Sequence, residues 1–219
     1  MDRERIKMNI SFKSEIPSKI SAQYFMPQSK QNTVGILGSS KSTTEILEYL
    51  DACSNITKGI ILSGKNIVHG CGNSGIMGKA YEAGRKYSQT DLNGKPIQNL
   101  AIIAQPLWGD EDLDNCIPLT TSTSEADRIE KFSQIADSFL IFPGSSTTLQ
   151  EATTLITKNY YGKPEDKKRI ILVGKDFYKG LYDQYQKLYE CKLIKCPPEE
   201  LFTIVDTEEE LEKIINNEQ

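Results

Sequence analysis

The stretch "SFLIFPGSSTTLQE", residues 138–151, combines a short apolar run, a Pro-Gly turn and a cluster of hydroxyl side chains. Its apolar part does not alternate with polar residues, which is typical of a parallel strand buried on both faces. Pro143 and Gly144 end this strand, and the hydroxyl residues that follow favour the start of a helix. The stretch therefore predicts a strand, a tight turn and a helix in succession.

Five further apolar runs repeat this pattern along the chain. They are rich in Ile, Val or Leu and comprise "TVGILG" (33–38), "KNIVHG" (65–70), "NLAIIAQP" (99–106), "RIILVG" (169–174) and "LFTIVD" (201–206). Segments with helical spacing lie between them, so we expect an α/β fold: a doubly wound, Rossmann-like parallel sheet with helices on both faces. Ligands of such sheets bind beyond the carboxyl ends of the strands, where the strand order reverses.

Length and composition are those of a single α/β domain. The chain has 219 residues, of which 38% are hydrophobic and 26% are charged, as expected for one folded unit. We expect an N-terminal arm over residues 1–30, which lack a strand–helix pattern, and a single Rossmann-like nucleotide-binding domain over residues 31–219. No apolar stretch reaches the roughly 18 residues that cross a bilayer, and no signal peptide is recognisable, so we expect a cytoplasmic protein without a membrane partner.

Charge and residue types exclude two further classes of function. The net charge of −4 argues against nucleic acid as a partner, because binding to a phosphate backbone needs a basic face. His69 is the single histidine, and the five cysteines are scattered without paired CxxC spacing. We therefore expect no metal site.

Two loops before the opening stretch could bind a phosphate group. The first, "GSSKSTTE" (38–45), leads from a strand into a helix, where backbone N–H groups favour an anion, although Ser and Thr also serve there as purely structural caps. The second, "HGCGNSGIMGKA" (69–80), has glycines that permit tight turns and close approach. Its string "GCGNSG" (70–75) fits the dinucleotide spacing, but it follows the second strand and no suitable acidic strand tip comes after it.

The opening stretch provides a third loop and a carboxylate. The N–H groups at the start of its helix would point into the crevice, and we expect Glu151 on the first turn, where a carboxylate can simply compensate the helix dipole. Arg128 precedes Glu151 by 23 residues and lies near the N-terminal end of the helix "SEADRIEKFSQIAD". If the long segment 106–123 returns the chain to the same edge, Arg128 and Glu151 face one ligand.

At these residues the chain resembles the LONELY GUY family of cytokinin riboside 5′-monophosphate phosphoribohydrolases, whose bacterial members are often labelled lysine decarboxylases. "GCGNSGIMG" (70–78) is similar to the family's GGGxxGxMG loop, and "PGSSTTLQE" (143–151) to its PGGxGTxxE motif. The resemblance implies a homodimer without a cofactor that acts on a nucleoside monophosphate, with Arg128 and Glu151 as catalytic residues. It implies phosphate or nucleotide binding by Gly38, Ser39, Ser40, Gly72, Gly75, Met77, Gly144, Ser145, Ser146, Thr147 and Thr148.

The chain departs from the family pattern at four positions, the first of which is Cys71, in place of a glycine of the loop at 70–78. Ser145 and Thr147 replace glycines of the phosphate loop, and Ile129 replaces the lysine beside the arginine. Two hypotheses follow: a phosphoribohydrolase that releases a base and ribose 5-phosphate, or a noncatalytic carrier of a nucleotide or phosphorylated cofactor on the same fold. A true decarboxylase would need a pyridoxal-binding lysine, and no recognisable motif surrounds Lys41, Lys65 or Lys79.

Overall fold

The computed structural model describes residues 33–70, 72–87, 99–104, 118–206 and 208–215. The strands are β1 (Thr33–Leu37), β2 (Asn66–His69), β3 (Asn99–Ala104), β4 (Pro118–Ser122), β5 (Ser138–Ile141), β6 (Arg169–Val173) and β7 (Thr203–Val205). The α-helices are α1 (Leu47–Leu62), α2 (Gly75–Tyr87), α3 (Glu125–Ile135), α4 (Ser146–Tyr161), α5 (Lys175–Glu190) and α6 (Glu208–Ile215). The arm predicted for residues 1–30 lies outside the described residues.

The described strands form one sheet of seven parallel strands in the order β4-β3-β2-β1-β5-β6-β7. From β1 the chain moves outward through β2 and β3 to β4, and then returns to pair β5 with the other side of β1. The order thus reverses between β1 and β5. Their carboxyl ends flank the crevice in which ligands of such sheets bind.

Helices cover both faces of the sheet. One core contains buried residues of α1, α2 and α6, and the other contains buried residues of α3, α4 and α5. Successive strand residues alternate between the two cores: Ile36 and Leu140 pack in the first, whereas Leu37 and Ile141 pack in the second. The prediction of a doubly wound, Rossmann-like parallel sheet is therefore confirmed.

The six apolar runs are all strands, but the prediction missed β4. This strand lies in segment 106–123, which we expected to be a loop, because "PLTTS" carries a single large apolar residue and so lacks an apolar run. β4 pairs with β3 at the edge of the sheet, where an initial proline is tolerated. The strand runs parallel to β3, so it delivers the start of α3 to the carboxyl edge.

The hydroxyl residues that follow β1 do not cap α1 as expected. A short 3₁₀ turn (Thr44–Ile46) precedes α1, and Thr43 makes no side-chain capping bond. Two other helices do begin with a serine cap: Ser124 accepts a hydrogen bond from the Asp127 N–H at 3.2 Å, and Ser145 accepts one from the Thr147 N–H at 3.3 Å. Among the described residues, no helix has both the length and the apolar character needed to span a bilayer.

Candidate functional site

Backbone hydrogen bonds join the three candidate loops at the carboxyl edge. The Ser39 N–H donates to the Pro143 carbonyl oxygen at 3.0 Å, which links the loop after β1 to the loop after β5. The Ile76 N–H donates to the Ser39 carbonyl oxygen at 2.8 Å, which links the same loop to the start of α2. The loops after β1, β2 and β5 therefore form one continuous surface.

Two of the predicted binding glycines are required by contacts between these loops. Gly75 has a positive φ of 63°, and a Cβ there would lie 2.2 Å from the Ser39 carbonyl oxygen. At Gly38, a Cβ would lie 2.8 Å from Cγ2 of Ile76. Close approach of two backbones explains Gly75, and close packing of the Ile76 side chain explains Gly38. Neither explanation needs a ligand, so the predicted part of both glycines in ligand binding stays a prediction.

The start of α4 is built around Gly144 and Thr148. A Cβ at Gly144 would lie 2.2 Å from Oγ1 of Thr148, and the Thr148 side chain is buried against this glycine. Ser145 and Ser146 are exposed at the first turn, and Thr147 is half-buried. Exposed hydroxyls and the N-terminal N–H groups of α4 thus face the solvent side of the loop, where an anion could approach.

Arg128 crosses from α3 to the glycine loop after β2. It lies in the first turn of α3 and is only 4% exposed. Its guanidinium packs so closely on Gly70 that a Cβ there would lie 1.8 Å from Nη2. Nη2 also lies 4.0 Å from Sδ of Met77, and the guanidinium carbon lies 5.8 Å from the centre of the Phe132 ring. Arg128 and Met77, predicted from separate motifs, are therefore neighbours.

The ion-pair partner of Arg128 is Glu125, a residue that the sequence analysis did not single out. Nη1 of Arg128 lies 3.5 Å from Oε2 of Glu125, one helical turn earlier. Within the described part of the chain, Nε of Arg128 and Oε1 of Glu125 are buried without a hydrogen-bond partner. The i,i+3 spacing of opposite charges was a signal that could have revealed this pair.

Glu151 lies on the second turn of α4, not on the first as expected. Ser145 is the N-cap, so the helix begins at Ser146 and its first turn contains no acidic residue. The helix-dipole effect falls off within the first turn, which weakens dipole compensation as the explanation of this carboxylate. Glu151 is only 5% exposed. Burial of a carboxylate costs desolvation free energy, whereas a carboxylate on the surface has no such cost.

Tyr178 is a second residue that the sequence analysis missed. Its hydroxyl donates to the Phe142 carbonyl oxygen at 2.8 Å, directly before the Pro143 turn. The side chain is 1% exposed, and burial raises the pKa of Tyr178, with a further contribution from the negative charge of Glu151. Tyr178 thus connects α5 to the loop that begins α4, close to Glu151.

We expect Tyr178→Phe to lower the free energy of unfolding by about 1–3 kcal/mol, because the buried Phe142 carbonyl oxygen loses this donor. Urea denaturation of the two proteins measures the difference. Tyr182→Phe is the control, since the Tyr182 hydroxyl bonds to Glu199 on the exposed surface. A loss no greater than that of the control would contradict the role of Tyr178 in holding the loop.

The two predicted catalytic side chains lie on the same face of the sheet, on α3 and α4. Arg128 contacts the loop after β2, and Glu151 lies on the helix that follows β5. β1 separates β2 from β5, so the loop that contains Ser39 and Ser40 lies between them. Their approach to a common ligand across this loop stays a prediction.

The described cysteines differ in exposure, and Cys53 is the buried one of the three. Burial raises the pKa of Cys53 to about 12, opposed in part by a hydrogen bond with Thr57. The thiolate is the reactive form, so Cys53 should resist an aromatic disulfide reagent at neutral pH while exposed Cys191 reacts. Peptide mapping of the labelled folded protein measures this, and equal labelling of the two would contradict it.

Among the described residues, no cluster of His, Cys, Asp and Glu could hold a metal ion.

A family model described as "possible lysine decarboxylase" matches residues 74–215, which is more than half of the chain. The match includes α2, Arg128, the start of α4 and Glu151. No curated protein matches the chain.

Two kinds of solved structure share this fold. The molybdenum cofactor binding protein of the phototrophic bacterium Rippkaea orientalis is 18% identical, with a TM-score of 0.56. The molybdenum cofactor carrier protein of Chlamydomonas reinhardtii is 14% identical, with a TM-score of 0.57. Each match covers 85% of this chain and 96% of the other. At these identities the likeness shows a common fold.

Proposed function

The chain belongs to the family described as possible lysine decarboxylase, and from that premise we propose that it hydrolyses the N-glycosidic bond of a nucleoside 5′-monophosphate. Water adds to the anomeric carbon, the bond from that carbon to the base breaks, and a proton passes to the base. The products are the free base and ribose 5-phosphate. The observation that carries the proposal is a buried guanidinium and a buried carboxylate at the carboxyl edge of one sheet, Arg128 and Glu151.

Glu151 has the chemistry that the reaction needs at the anomeric carbon. Positive charge develops there as the base departs, and a carboxylate shielded from bulk solvent stabilises that charge or orients the one attacking water. Glu151 is buried on the second turn of α4, near enough to Tyr178 for its negative charge to raise the pKa of that tyrosine. The role follows from charge and burial, since no other acidic residue lies on the first two turns of α4.

The loops after β1 and β5 would hold the phosphate. Ser40 and Ser146 are exposed on the loop after β1 and at the start of α4, where N–H groups and the helix dipole favour an anion. The Ser39 hydroxyl instead bonds to the backbone of Lys41, so this residue would contribute through its backbone. Gly144 and Thr148 shape the backbone of this loop. These residues would orient the nucleotide while Arg128 and Glu151 act near the bond that breaks.

Lysine decarboxylation, which the family description names, has less support in the site. Pyridoxal chemistry needs a lysine amine placed for a Schiff base. Lys41 is exposed on its loop, and Lys79 pairs with Glu82 on the surface of α2.

Incubation of the purified protein with a panel of nucleoside monophosphates tests the proposal. Liquid chromatography should show free base and ribose 5-phosphate in equal amounts, at a rate that saturates with substrate. The matching nucleosides, which lack the phosphate, should react far more slowly because they lose the binding energy of the loops. Failure to release base from any monophosphate would overturn the hydrolase assignment.

A carrier of a phosphorylated cofactor is the second candidate, and one contact favours it. Oγ of Ser145 accepts the Thr147 N–H at 3.3 Å, so a side-chain cap stands where the family pattern has a glycine. Such a change would disturb the alignment that catalysis needs more than the affinity for an anion. The solved structures described above bind or carry the molybdenum cofactor, and this cofactor is the natural probe. A rise in melting temperature with the probe, without release of base from nucleotides, would favour the carrier.

Two further expectations accompany the proposal. We expect a homodimer in the cytoplasm, by resemblance to the phosphoribohydrolases. Light scattering after size-exclusion chromatography measures the mass in solution, and a mass equal to one chain at micromolar concentration would contradict the dimer.

A further inference from the structure

The ion pair of Arg128 with Glu125 changes which part of a ligand can bind at this guanidinium. The two side chains lie 3.5 Å apart, with 4% of Arg128 and 25% of Glu125 exposed. A carboxylate this close offsets much of the guanidinium charge in a partly buried place, where screening by water is weak. It would also repel a phosphate, which carries two negative charges near neutral pH.

The same pair leaves two buried atoms unused within the described part of the chain. Nε of Arg128 is a donor and Oε1 of Glu125 is an acceptor, and neither has a hydrogen-bond partner. Buried polar atoms are nearly always paired in folded proteins, so this donor and this acceptor can each take one more partner, which an ordered water or a ligand would supply. A ligand that satisfies both must offer an acceptor to Arg128 and a donor to Glu125.

We propose that Arg128 and Glu125 together bind a neutral donor–acceptor group of the ligand, and that the phosphate binds elsewhere, at the loops that contain Ser39 and Gly144. Within a nucleotide, this chemistry exists in two places: the edge of the base, with a ring nitrogen beside an exocyclic amine, and the hydroxyl groups of the ribose. Glu125 is then a specificity residue that selects ligands carrying such a group. The inference rests on the proposed site but not on catalysis, since a carrier would use the same pair.

Binding measurements with three probes test the assignment: inorganic phosphate, ribose 5-phosphate and adenosine 5′-monophosphate. All proteins carry Glu151→Gln, so that the nucleotide is not consumed, and calorimetry gives each Kd. Glu125→Met removes both the charge and the acceptor, whereas Glu125→Gln removes the charge alone. Glu82→Gln, which removes an exposed i,i+3 pair with Lys79 on α2, is the matched control.

We expect Glu125→Met to weaken nucleotide binding by about ten- to a hundredfold, the range for loss of a hydrogen bond to a charged group, and Glu125→Gln to weaken it less. Inorganic phosphate should bind each variant within about twofold of the parent, because neutral-group contacts do not enter its affinity. If the base edge is bound, ribose 5-phosphate is unaffected as well. If the ribose is bound, ribose 5-phosphate weakens in parallel, and 2′-deoxyadenosine 5′-monophosphate, added as a fourth probe for this case, is insensitive to the change.

The rival assignment, in which Arg128 holds the phosphate, predicts the opposite sign. Removal of the Glu125 charge would then strengthen the binding of inorganic phosphate and ribose 5-phosphate, by about tenfold or more. That result, or unchanged nucleotide affinity in Glu125→Met, would overturn the inference. Failure of base release in the wild-type protein overturns the hydrolase alone, because the affinities of the three probes do not depend on turnover.

Discussion

Glu151→Gln should lower the rate of nucleotide hydrolysis by about a thousandfold, within the range of roughly 10²–10⁴ for a positioned carboxylate in proton transfer or charge stabilisation. Gln keeps the size of the side chain but removes the negative charge that would face the developing cation at the anomeric carbon. Binding of the nucleotide should change by less than about threefold, because charge at that carbon develops only in the transition state. Single-turnover rates and calorimetric Kd values separate the two effects.

A neighbouring acidic residue provides the control for this substitution. Glu130 lies on the exposed side of α3 and pairs with Lys158 of α4, so Glu130→Gln removes one carboxylate charge away from the crevice. Its rate should equal that of the wild type. Turnover by Glu151→Gln within a few-fold of this control would remove Glu151 from the reaction.

Gly75→Ala should lower the free energy of unfolding by about 3 kcal/mol, from roughly 1–2 kcal/mol for a left-handed backbone conformation with a Cβ and a similar amount for overpacking. The positive φ of Gly75 strains an alanine, and the new Cβ would meet the Ser39 carbonyl oxygen at 2.2 Å. For a domain of this size, the melting temperature should fall by about 6–12 °C. Urea denaturation and calorimetry measure the two quantities.

Gly180→Ala is the matched control, because Gly180 lies within α5 and a Cβ there meets nothing within 4 Å. Alanine is favoured over glycine in a helix by about 1 kcal/mol, so this variant should be slightly more stable than the wild type. A Gly75→Ala protein as stable as the wild type would show that the loops after β1 and β2 do not pack as described.

The sequence patterns predict the type of sheet but not the number of its strands. Strands such as β1, β5 and β6 are buried on both faces, and this burial requires the continuous apolar runs that predicted them. β4 lies at the edge and its sequence is "PLTTS", so it is recognisable only through its pairing with β3. Pairing is a long-range property, which local pattern does not encode.

The residues of the candidate site likewise fall into two groups, those that a sequence motif predicts and those that only tertiary contacts reveal. Arg128 and Glu151 were found because their motifs have a recognisable spacing, and the structure buries both. Glu125 and Tyr178 were missed because their importance comes from tertiary contacts, with a guanidinium in one case and with the Phe142 carbonyl oxygen in the other. The turn of α4 that carries Glu151 was also misassigned, since its position depends on which serine caps the helix.

The hydrogen bonds from Ser39 to Pro143 and from Ile76 to Ser39 have a consequence for the energetics of ligand capture. An enzyme with a mobile lid loses backbone conformational entropy when the lid closes over its ligand. At these three loops, that entropy is already lost when the protein folds. A ligand that binds at these loops would therefore meet a preorganised surface, and the entropic cost of ordering the loops would not reduce its affinity. The rates of ligand association and dissociation would then depend on the contacts of the ligand and not on a rearrangement of the backbone.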